Sequence, residues 1–147
     1  MRAPYILIVD DDAGVRQLLR RLLTPTGSDV LEAGTAEDAI AMVEQLPPAV
    51  AFCDVHMPGA NGLWLADQIR GASPATAIVL ATGDADVPAS ESFRSGIVAY
   101  LLKPLEQRDV LSAVAEGLRW SARVAAQDLP PRTRGRLTEG ALQLPRA

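Results

Sequence analysis

The sequence predicts an α/β protein with a doubly wound, five-stranded parallel sheet. Short apolar runs predict the strands at 5–9, about 29–32, 50–53, 77–81 and 98–102. The run at 77–81 is apolar at every position, which is typical of a parallel strand covered by helices on both faces. Segments with helical spacing separate the runs, and these connections are long enough for right-handed crossovers. The pattern therefore favours five βα units in one open sheet.

Helical spacing is clearest in three of the intervening segments. In the first, apolar residues recur at i, i+3, i+4 and i+7, namely at Val15, Leu18, Leu19 and Leu22. We expect Thr35 to cap the second helix, with Asp38 at the capping-box position. Leu65 and Ile69 mark the third helix. A weaker helical pattern covers 86–95, with proline near its start, where it is tolerated.

The last predicted helix sets the end of the folded domain. It is anchored by Leu111, Val114 and Leu118 and is expected to run to about residue 127. Residues 128–147 contain proline, glycine and arginine without hydrophobic periodicity, which is typical of a linker or a disordered segment. The sequence thus predicts one domain over 1–127, followed by a basic tail over 128–147.

Composition limits the class of protein. A chain of 147 residues with 48% hydrophobic and 22% charged residues can bury one core. No apolar run is long enough to cross a bilayer, and the N-terminus lacks the cleavage site of a signal peptide. The single cysteine, Cys53, cannot form an internal disulfide. These features predict a cytoplasmic protein without a membrane partner.

Charge is distributed unevenly along the chain. Residues 1–118 carry 8 Lys and Arg against 16 Asp and Glu, whereas residues 119–147 carry 6 Arg against 2 acidic residues. An acidic body argues against direct nucleic-acid binding by the globular part. The tail is too sparsely charged to argue for it.

Polar side chains follow several of the predicted strands. They are Asp10, Asp11 and Asp12 after the first strand, Glu32 after the second, Asp54 after the third, Thr82 after the fourth and Lys103 after the fifth. In doubly wound sheets ligands bind beyond the carboxyl ends of the strands. Four of these strands therefore deliver carboxylates, a hydroxyl and an ammonium to one edge, while the end of the second strand is expected to be uninvolved.

These residue types suit phosphoryl chemistry. Asp10 and Asp11 could hold Mg²⁺, a hard cation that prefers oxygen ligands, with Asp54 as a further ligand. A carboxylate can also act as a nucleophile and form an acyl phosphate. Thr82 and Lys103 could bind phosphoryl oxygens. Taken singly, an Asp or Thr after a strand is more often a helix cap, and a Lys before Pro is more often a solvated loop residue. The phosphoryl interpretation therefore depends on their joint occurrence, each at the end of its own strand.

The chain resembles the receiver domain of two-component response regulators. The resemblance covers about residues 4–120 and rests on four segments: ILIVDDD at 6–12, CDVHMPGANG at 53–62, LATG at 80–83 and AYLLKP at 99–104. It implies the flavodoxin-like receiver fold with strand order 2-1-3-4-5. It also implies a signalling switch that supports its own phosphorylation and dephosphorylation, and not an enzyme in the ordinary sense.

The resemblance implies roles for individual positions. Asp54 matches the phosphoacceptor, which receives its phosphoryl group from a sensor histidine kinase or a phosphotransfer protein. Asp10 and Asp11 match the acidic pair that serves Mg²⁺ together with Asp54. The backbone carbonyl of His56 matches a further protein ligand of the metal. A titratable histidine beside the site could also make the lifetime of the phosphoryl group depend on pH.

Further positions complete the implied switch. Thr82 and Lys103 match the switch hydroxyl and the phosphate-binding lysine, and Tyr100 matches the aromatic residue that turns inward when the threonine moves. The bond from Lys103 to Pro104 is a candidate for the cis isomer. Asp12 has no implied role at the site, and we expect it to cap the first helix.

The output of the switch is left open. The resemblance implies a partner-binding face made of the helix over 86–95, the last strand and the last helix. That face could engage an effector or downstream domain, which the sequence does not identify, or a second copy of the chain as a homodimer. A stand-alone regulator and a piece of a longer protein are both compatible with the sequence.

Two other functions are compatible with parts of the pattern. A phosphatase similar to the haloacid-dehalogenase group would use Asp10 as nucleophile and Asp12 as acid/base, but it leaves Asp54 unexplained. A scaffold or dimerisation module on the same fold would act without phosphorylation. Cys53 is expected to serve packing. Trp64 and Trp120 are expected to be partly buried packing residues, with contact to a partner as the alternative.

Overall fold

The computed structural model describes residues 4–83 and 96–127. The elements in chain order are β1 (Tyr5–Val9), α1 (Ala13–Leu23), β2 (Asp29–Ala33), α2 (Ala36–Gln45), β3 (Val50–Asp54), β4 (His56–Met57), β5 (Ala60–Asn61), α3 (Gly62–Ala72), β6 (Ala77–Thr82), β7 (Ile97–Leu102) and α4 (Gln107–Gln127). A short 3₁₀ helix, Thr24–Thr26, follows α1. The helix predicted over 86–95 and the tail over 128–147 lie outside the described residues.

The main sheet is parallel throughout, and its strands lie in the order β2-β1-β3-β6-β7. When the five strands of the main sheet are numbered by themselves, this is the predicted order 2-1-3-4-5. The labels differ because two short strands, β4 and β5, form a separate hairpin between β3 and β6 in the chain. The sequence did not predict that hairpin, since its strands have two residues each. The predicted fold class, a doubly wound α/β sheet, is confirmed.

Helices cover both faces of the sheet because successive residues of a strand point to opposite sides. On β1, Leu7 faces a cluster formed with α2 and α3, which includes Leu65 and Ile69. Ile8 faces a second cluster formed with α1 and α4, which includes Phe52, Leu19 and Val110. Burying one such side chain stabilises the fold by about 1.5–3 kcal/mol. The central strands β1, β3 and β6 are therefore apolar on both sides.

Two predicted helix caps are confirmed. The carboxylate of Asp12 accepts hydrogen bonds from the backbone N–H groups of Gly14, at 2.8 Å, and Val15, at 3.4 Å. The hydroxyl of Thr35 accepts one from the N–H of Asp38, at 3.1 Å. Both caps satisfy N–H groups that have no partner within their own helix.

The predictions for Cys53 and the tryptophans are confirmed in part. Cys53 is fully buried, and Trp120 packs against the cluster beneath α1 and α4. Trp64, which was predicted to be partly buried, keeps 48% of its surface exposed. Its neighbours Leu63 and Leu65 occupy the inward positions of α3. Within the described residues, no helix is long and apolar enough to cross a membrane.

Candidate functional site

Three carboxylates converge at the carboxyl edge of the sheet. Oxygen atoms of Asp10, Asp11 and Asp54 all lie within 4.8 Å of one another. Asp10 is 2% exposed and Asp54 6% exposed, whereas Asp11 faces solvent. The carboxylates meet because β1 and β3 are adjacent parallel strands. Val9 is paired with Cys53, so the next residues, Asp10 and Asp54, lie side by side. The predicted proximity of these three residues is confirmed.

Lys103 supplies a cation to this cluster. Its Nζ lies 3.0 Å from Oδ2 of Asp10 and 3.5 Å from Oδ1 of Asp54. Its backbone N–H donates to the carbonyl of Thr82 at 2.7 Å, and the bond to Pro104 is cis. Burial disfavours the charged ammonium, but hydrogen bonding to Asp10 and the charges of Asp10 and Asp54 outweigh burial. The pKa of Lys103 is therefore raised.

The environment of Asp54 disfavours its charge. Burial is the largest cause that raises the pKa of its carboxyl group, and the neighbouring charge of Asp10 adds to it. Lys103 and the backbone N–H of His56, which donates to Oδ1 of Asp54 at 3.3 Å, act in the opposite direction without cancelling it. The pKa of Asp54 is therefore raised, because the neighbouring positive groups compensate its negative charge only in part.

The segment after Asp54 folds back tightly over its backbone. Val55 donates its N–H to Ala81 at 3.0 Å and accepts from the N–H of Gly62 at 2.8 Å. Gly59 turns the hairpin between β4 and β5 with φ of 77°. The hairpin therefore connects the site to α3 and holds the backbone of His56 next to Asp54. The orientation of the His56 carbonyl toward a metal stays a prediction.

Thr82 and Tyr100 lie on neighbouring strands of the same half of the sheet. Thr82 is fully buried at the end of β6. Tyr100 pairs with Leu80 in the register of β6 and β7, and it is half-buried against the cluster beneath α2 and α3. Both residues are thus where the sequence predicted them, but their role as a switch stays a prediction.

The end of β2 requires a correction, because it is linked to the site. Nη1 of Arg16 donates to the backbone carbonyl of Asp10 at 2.7 Å, while its Nε donates to Oε1 of Glu32 at 3.0 Å. Nε of Arg20 donates to the other oxygen, Oε2, at 2.7 Å. Sequence reasoning missed this connection. The available signal was the spacing of Arg16 and Arg20, which places two cations on one face of α1.

The fold and the site together define a class of protein. A cluster of three carboxylates suits a hard divalent cation such as Mg²⁺, which binds oxygen ligands. A lysine beside a buried carboxylate suits an anionic group such as a phosphoryl. Both occur at the carboxyl edge of a doubly wound sheet, where such folds bind ligands. The class is an α/β domain with a cluster of carboxylates and a lysine at the carboxyl edge of its sheet.

Comparison with known proteins identifies the family. The family model described as "Response regulator receiver domain" matches residues 6–115. The chain belongs to the response regulator receiver domain family of two-component systems. The predicted resemblance is therefore confirmed, and the phosphatase alternative is wrong. The carboxylate of Asp12, which that alternative required as acid/base, caps α1.

Similar proteins are regulatory proteins by name. The chain is 33% identical over 134 residues to the Positive alginate biosynthesis regulatory protein of Pseudomonas aeruginosa, covering 88% of this chain and 54% of that protein. It is 35% identical over 127 residues to the Transcriptional regulatory protein FixJ of Bradyrhizobium diazoefficiens, covering 84% of this chain and 60% of that protein. The chain thus spans little more than half the length of these two relatives.

Solved structures show the same fold. A CheY-like response regulator receiver domain protein from Methanospirillum hungatei JF-1 is 28% identical, with a TM-score of 0.76 over 83% of this chain and 98% of that chain. The signal receiver domain of an HD domain-containing protein from Pseudomonas fluorescens Pf-5 is also 28% identical, with a TM-score of 0.76 over 83% of this chain and 99% of that one. Both match over nearly their whole length.

Proposed function

We propose that this receiver domain accepts a phosphoryl group on Asp54 from a sensor histidine kinase or a phosphotransfer protein. The observation that carries the proposal is the convergence of Asp10, Asp11 and Asp54, with the ammonium of Lys103 between two of them. Asp54 stands at the end of the central strand β3, at the carboxyl edge of the sheet, with 6% of its surface exposed. The switch would be reversible, since an acyl phosphate can be hydrolysed by water.

The chemistry uses few groups of the protein. A carboxylate oxygen of Asp54 attacks phosphorus as the phosphorus–nitrogen bond of a phosphohistidine breaks, and the leaving nitrogen takes up a proton from solvent so that the imidazole departs as a neutral ring. Lys103 would pair with a phosphoryl oxygen as a point charge, and the hydroxyl of Thr82 would donate a hydrogen bond to another. Phosphoryl transfer depends mainly on such positioning and charge neutralisation.

The carboxylates of Asp10, Asp11 and Asp54, with the backbone carbonyl of His56, would hold Mg²⁺. Support comes from the three carboxylates that lie within 4.8 Å of one another and from the single ammonium of Lys103 beside two of them, an arrangement that fits a divalent cation. When bound, Mg²⁺ would supply the positive charge that brings an anionic phosphoryl group to a carboxylate. Asp10 and Asp11 would bind and orient the ion.

We propose that phosphorylation acts through Thr82 and Tyr100 on a partner-binding face. The face comprises β7, α4 and the segment 86–95, and the last of these lies outside the described residues. A local change of charge would bias a two-state element. The name of the relative FixJ, a transcriptional regulatory protein, supports an effector or downstream domain that regulates transcription. A homodimer through the same face is the other partner that we propose. The acidic globular part would not itself bind nucleic acid.

A phosphorylation assay tests the proposal. The protein is incubated with Mg²⁺ and a phosphorylated histidine kinase or an acyl-phosphate donor, and the modified residue is mapped by mass spectrometry. We expect one phosphoryl group on Asp54 and none in Asp54→Asn. Asp67→Asn is the matched control, because Asp67 is an exposed residue of α3 that pairs with Arg70. Modification of Asp10, or of the Asp54→Asn variant, would contradict the proposal.

The same variant separates the switch from a scaffold. If the domain acts through phosphorylation, Asp54→Asn should abolish the phosphorylation-dependent change in partner binding. If partner binding in wild type is the same with and without the phosphoryl group, a scaffold or dimerisation module is the better description.

A further inference from the structure

We propose that Arg16 is a positioning residue that sets the affinity of the acidic cluster for a divalent cation. It would do so by anchoring the backbone of Asp10 to Glu32 on the neighbouring strand β2. The inference rests on the proposed Mg²⁺ site and goes beyond it, because it assigns part of the metal affinity to a residue that does not itself bind the metal.

The structure fixes Asp10 through contacts in several directions. Its N–H donates to the carbonyl of Ala33 at 3.2 Å, and its Oδ1 accepts from the N–H of Asp12 at 2.9 Å. Its Oδ2 accepts from Lys103 at 3.0 Å. The remaining polar atom, the backbone carbonyl, accepts from Nη1 of Arg16 at 2.7 Å. Arg16 therefore completes the set of contacts that holds this residue.

The contact made by Arg16 controls the neighbour of Asp10 as well. The carbonyl that Arg16 holds belongs to the peptide unit joining Asp10 to Asp11. Rotation of this peptide unit would redirect the side chain of Asp11, which is exposed and so is not confined by packing. Holding the carbonyl thus keeps the carboxylates of Asp10 and Asp11 directed toward Asp54, within the 4.8 Å that the cluster requires.

Arg16 can act as an anchor because it is itself fixed. Its Nε donates to Oε1 of Glu32 at 3.0 Å, so one planar guanidinium bridges two strands. The hydrogen bond from Arg20 is the largest cause that lowers the pKa of Glu32, and Arg16 adds to it. Gly34 leaves room for the guanidinium, since a Cβ atom there would lie 3.3 Å from Nη1 of Arg16.

The change in Mg²⁺ affinity on replacing Arg16 distinguishes positioning from simple electrostatics, because the two predict opposite signs. A guanidinium next to Asp10 repels a divalent cation, so its charge alone should weaken metal binding. Replacing Arg16 with an uncharged side chain of similar length would then tighten binding. If Arg16 acts by positioning, the same replacement should weaken binding, because the carboxylates lose their common orientation. Partners that orient metal ligands typically contribute about 10- to 100-fold in affinity.

Calorimetric titration of the metal-free full chain with Mg²⁺ tests the inference. We expect Arg16→Met to bind about 10-fold more weakly than wild type. Arg16→Lys should also bind more weakly, because one ammonium does not reproduce the fork that reaches both the Asp10 carbonyl and Glu32. Arg20→Met is the matched control: it removes an ion pair with Glu32 but no contact with Asp10. Its affinity should change by less than about twofold, as is usual for exposed pairs.

The outcomes distinguish this inference from the proposed function. Unchanged or tighter Mg²⁺ binding by Arg16→Met would overturn the inference while leaving the metal site in place. An equal loss of Mg²⁺ affinity in Arg16→Met and Arg20→Met would overturn it in the same way. No Mg²⁺ binding by wild type would overturn the metal site and the inference with it. Melting temperatures in EDTA check that each variant is folded. Should Arg16→Met not fold, Glu32→Gln keeps both arginines and should weaken Mg²⁺ binding in the same direction; unchanged binding there would overturn the inference.

Discussion

Gly62 packs so closely on Asp54 that a Cβ atom at position 62 would lie 2.5 Å from the Asp54 carbonyl oxygen. The same atom would lie 2.8 Å from the Cα of Val55. These neighbours are backbone atoms, so they cannot move aside as the end of a flexible side chain can. The close approach connects the first residue of α3 directly to the proposed phosphoacceptor.

Gly62→Ala should therefore destabilise the protein and impair phosphorylation. We expect the free energy of unfolding to fall by about 1–3 kcal/mol, the usual cost of overpacking. Urea denaturation measures the stability, and the phosphorylation assay measures the function. Gly71→Ala is the control in the same helix, because a Cβ atom there meets nothing within 4 Å. Alanine is the better helix former, so this control should be neutral or stabilising by up to about 1 kcal/mol. Equal stability of the two variants would contradict the prediction.

The stability of the metal-free protein should depend on the charge of Asp54. Burial, followed by the charge of Asp10, raises the pKa of Asp54 above its ordinary value of 3.8. The protonated form is therefore favoured by folding, and its contribution is fully present below pH 3.8 and is lost as pH rises through the raised pKa. At neutral pH the charged carboxylate weakens the fold, and Asp54→Asn should be more stable than wild type.

The pH profile of unfolding checks this linkage. In EDTA, the advantage of Asp54→Asn over wild type should be largest at pH 7 and should shrink as pH falls through the raised pKa toward 3.8. Asp67→Asn, which alters an exposed carboxylate on α3, should show no comparable advantage at pH 7. A constant difference between Asp54→Asn and wild type across this range would show that the charge of Asp54 is not the cause.

Removal of divalent cations should lower the melting temperature. At a Mg²⁺ concentration about 100 times the Kd, binding to the folded state alone stabilises it by about 2.7 kcal/mol. For a domain of this size the melting temperature should rise by several degrees, at about 2–4 °C for each kcal/mol. Differential scanning calorimetry with Mg²⁺, and with NaCl at equal ionic strength, measures the shift. An equal shift with NaCl would indicate screening and not a specific site.

The thiol of Cys53 should be unreactive in the native protein. Burial, followed by the charge of Asp54, raises its pKa to about 12, and the side chain is fully buried. A thiol reagent at pH 8 should therefore label it only after unfolding, at least about 10³-fold more slowly than in the denatured chain. The same chain in guanidinium chloride is the control, since it has one cysteine. Rapid native labelling would contradict the described packing.

Much of the fold and the site could be predicted because strand ends are visible in the sequence. Apolar runs that stop at Asp10, Asp54, Thr82 and Lys103 mark the edge where parallel strands deliver their polar residues. The starts of α1 and α2 were equally visible. Short polar side chains such as those of Asp12 and Thr35 cap a helix by accepting hydrogen bonds from N–H groups only two or three residues away.

Other features depend on three-dimensional packing and left no comparable signal. The hydrogen bonds from Arg16 to Glu32 and to the Asp10 carbonyl connect two strands and a helix, so no local sequence pattern predicts them. The exposure of Trp64 follows from which neighbours on α3 face the core. The hairpin of β4 and β5 is too short to produce periodicity.

Lys103 contacts a carboxylate 93 residues earlier in the chain, at Asp10. A contact of such long sequence separation forms only after most of the domain has been synthesised and brought together. A nascent chain that ends before β7 would bring Asp10 and Asp54 close without the cation that offsets their repulsion. The cluster is thus completed by the residue that follows the last strand of the sheet, and a chain that ends before β7 would lack the lysine of the proposed phosphorylation site.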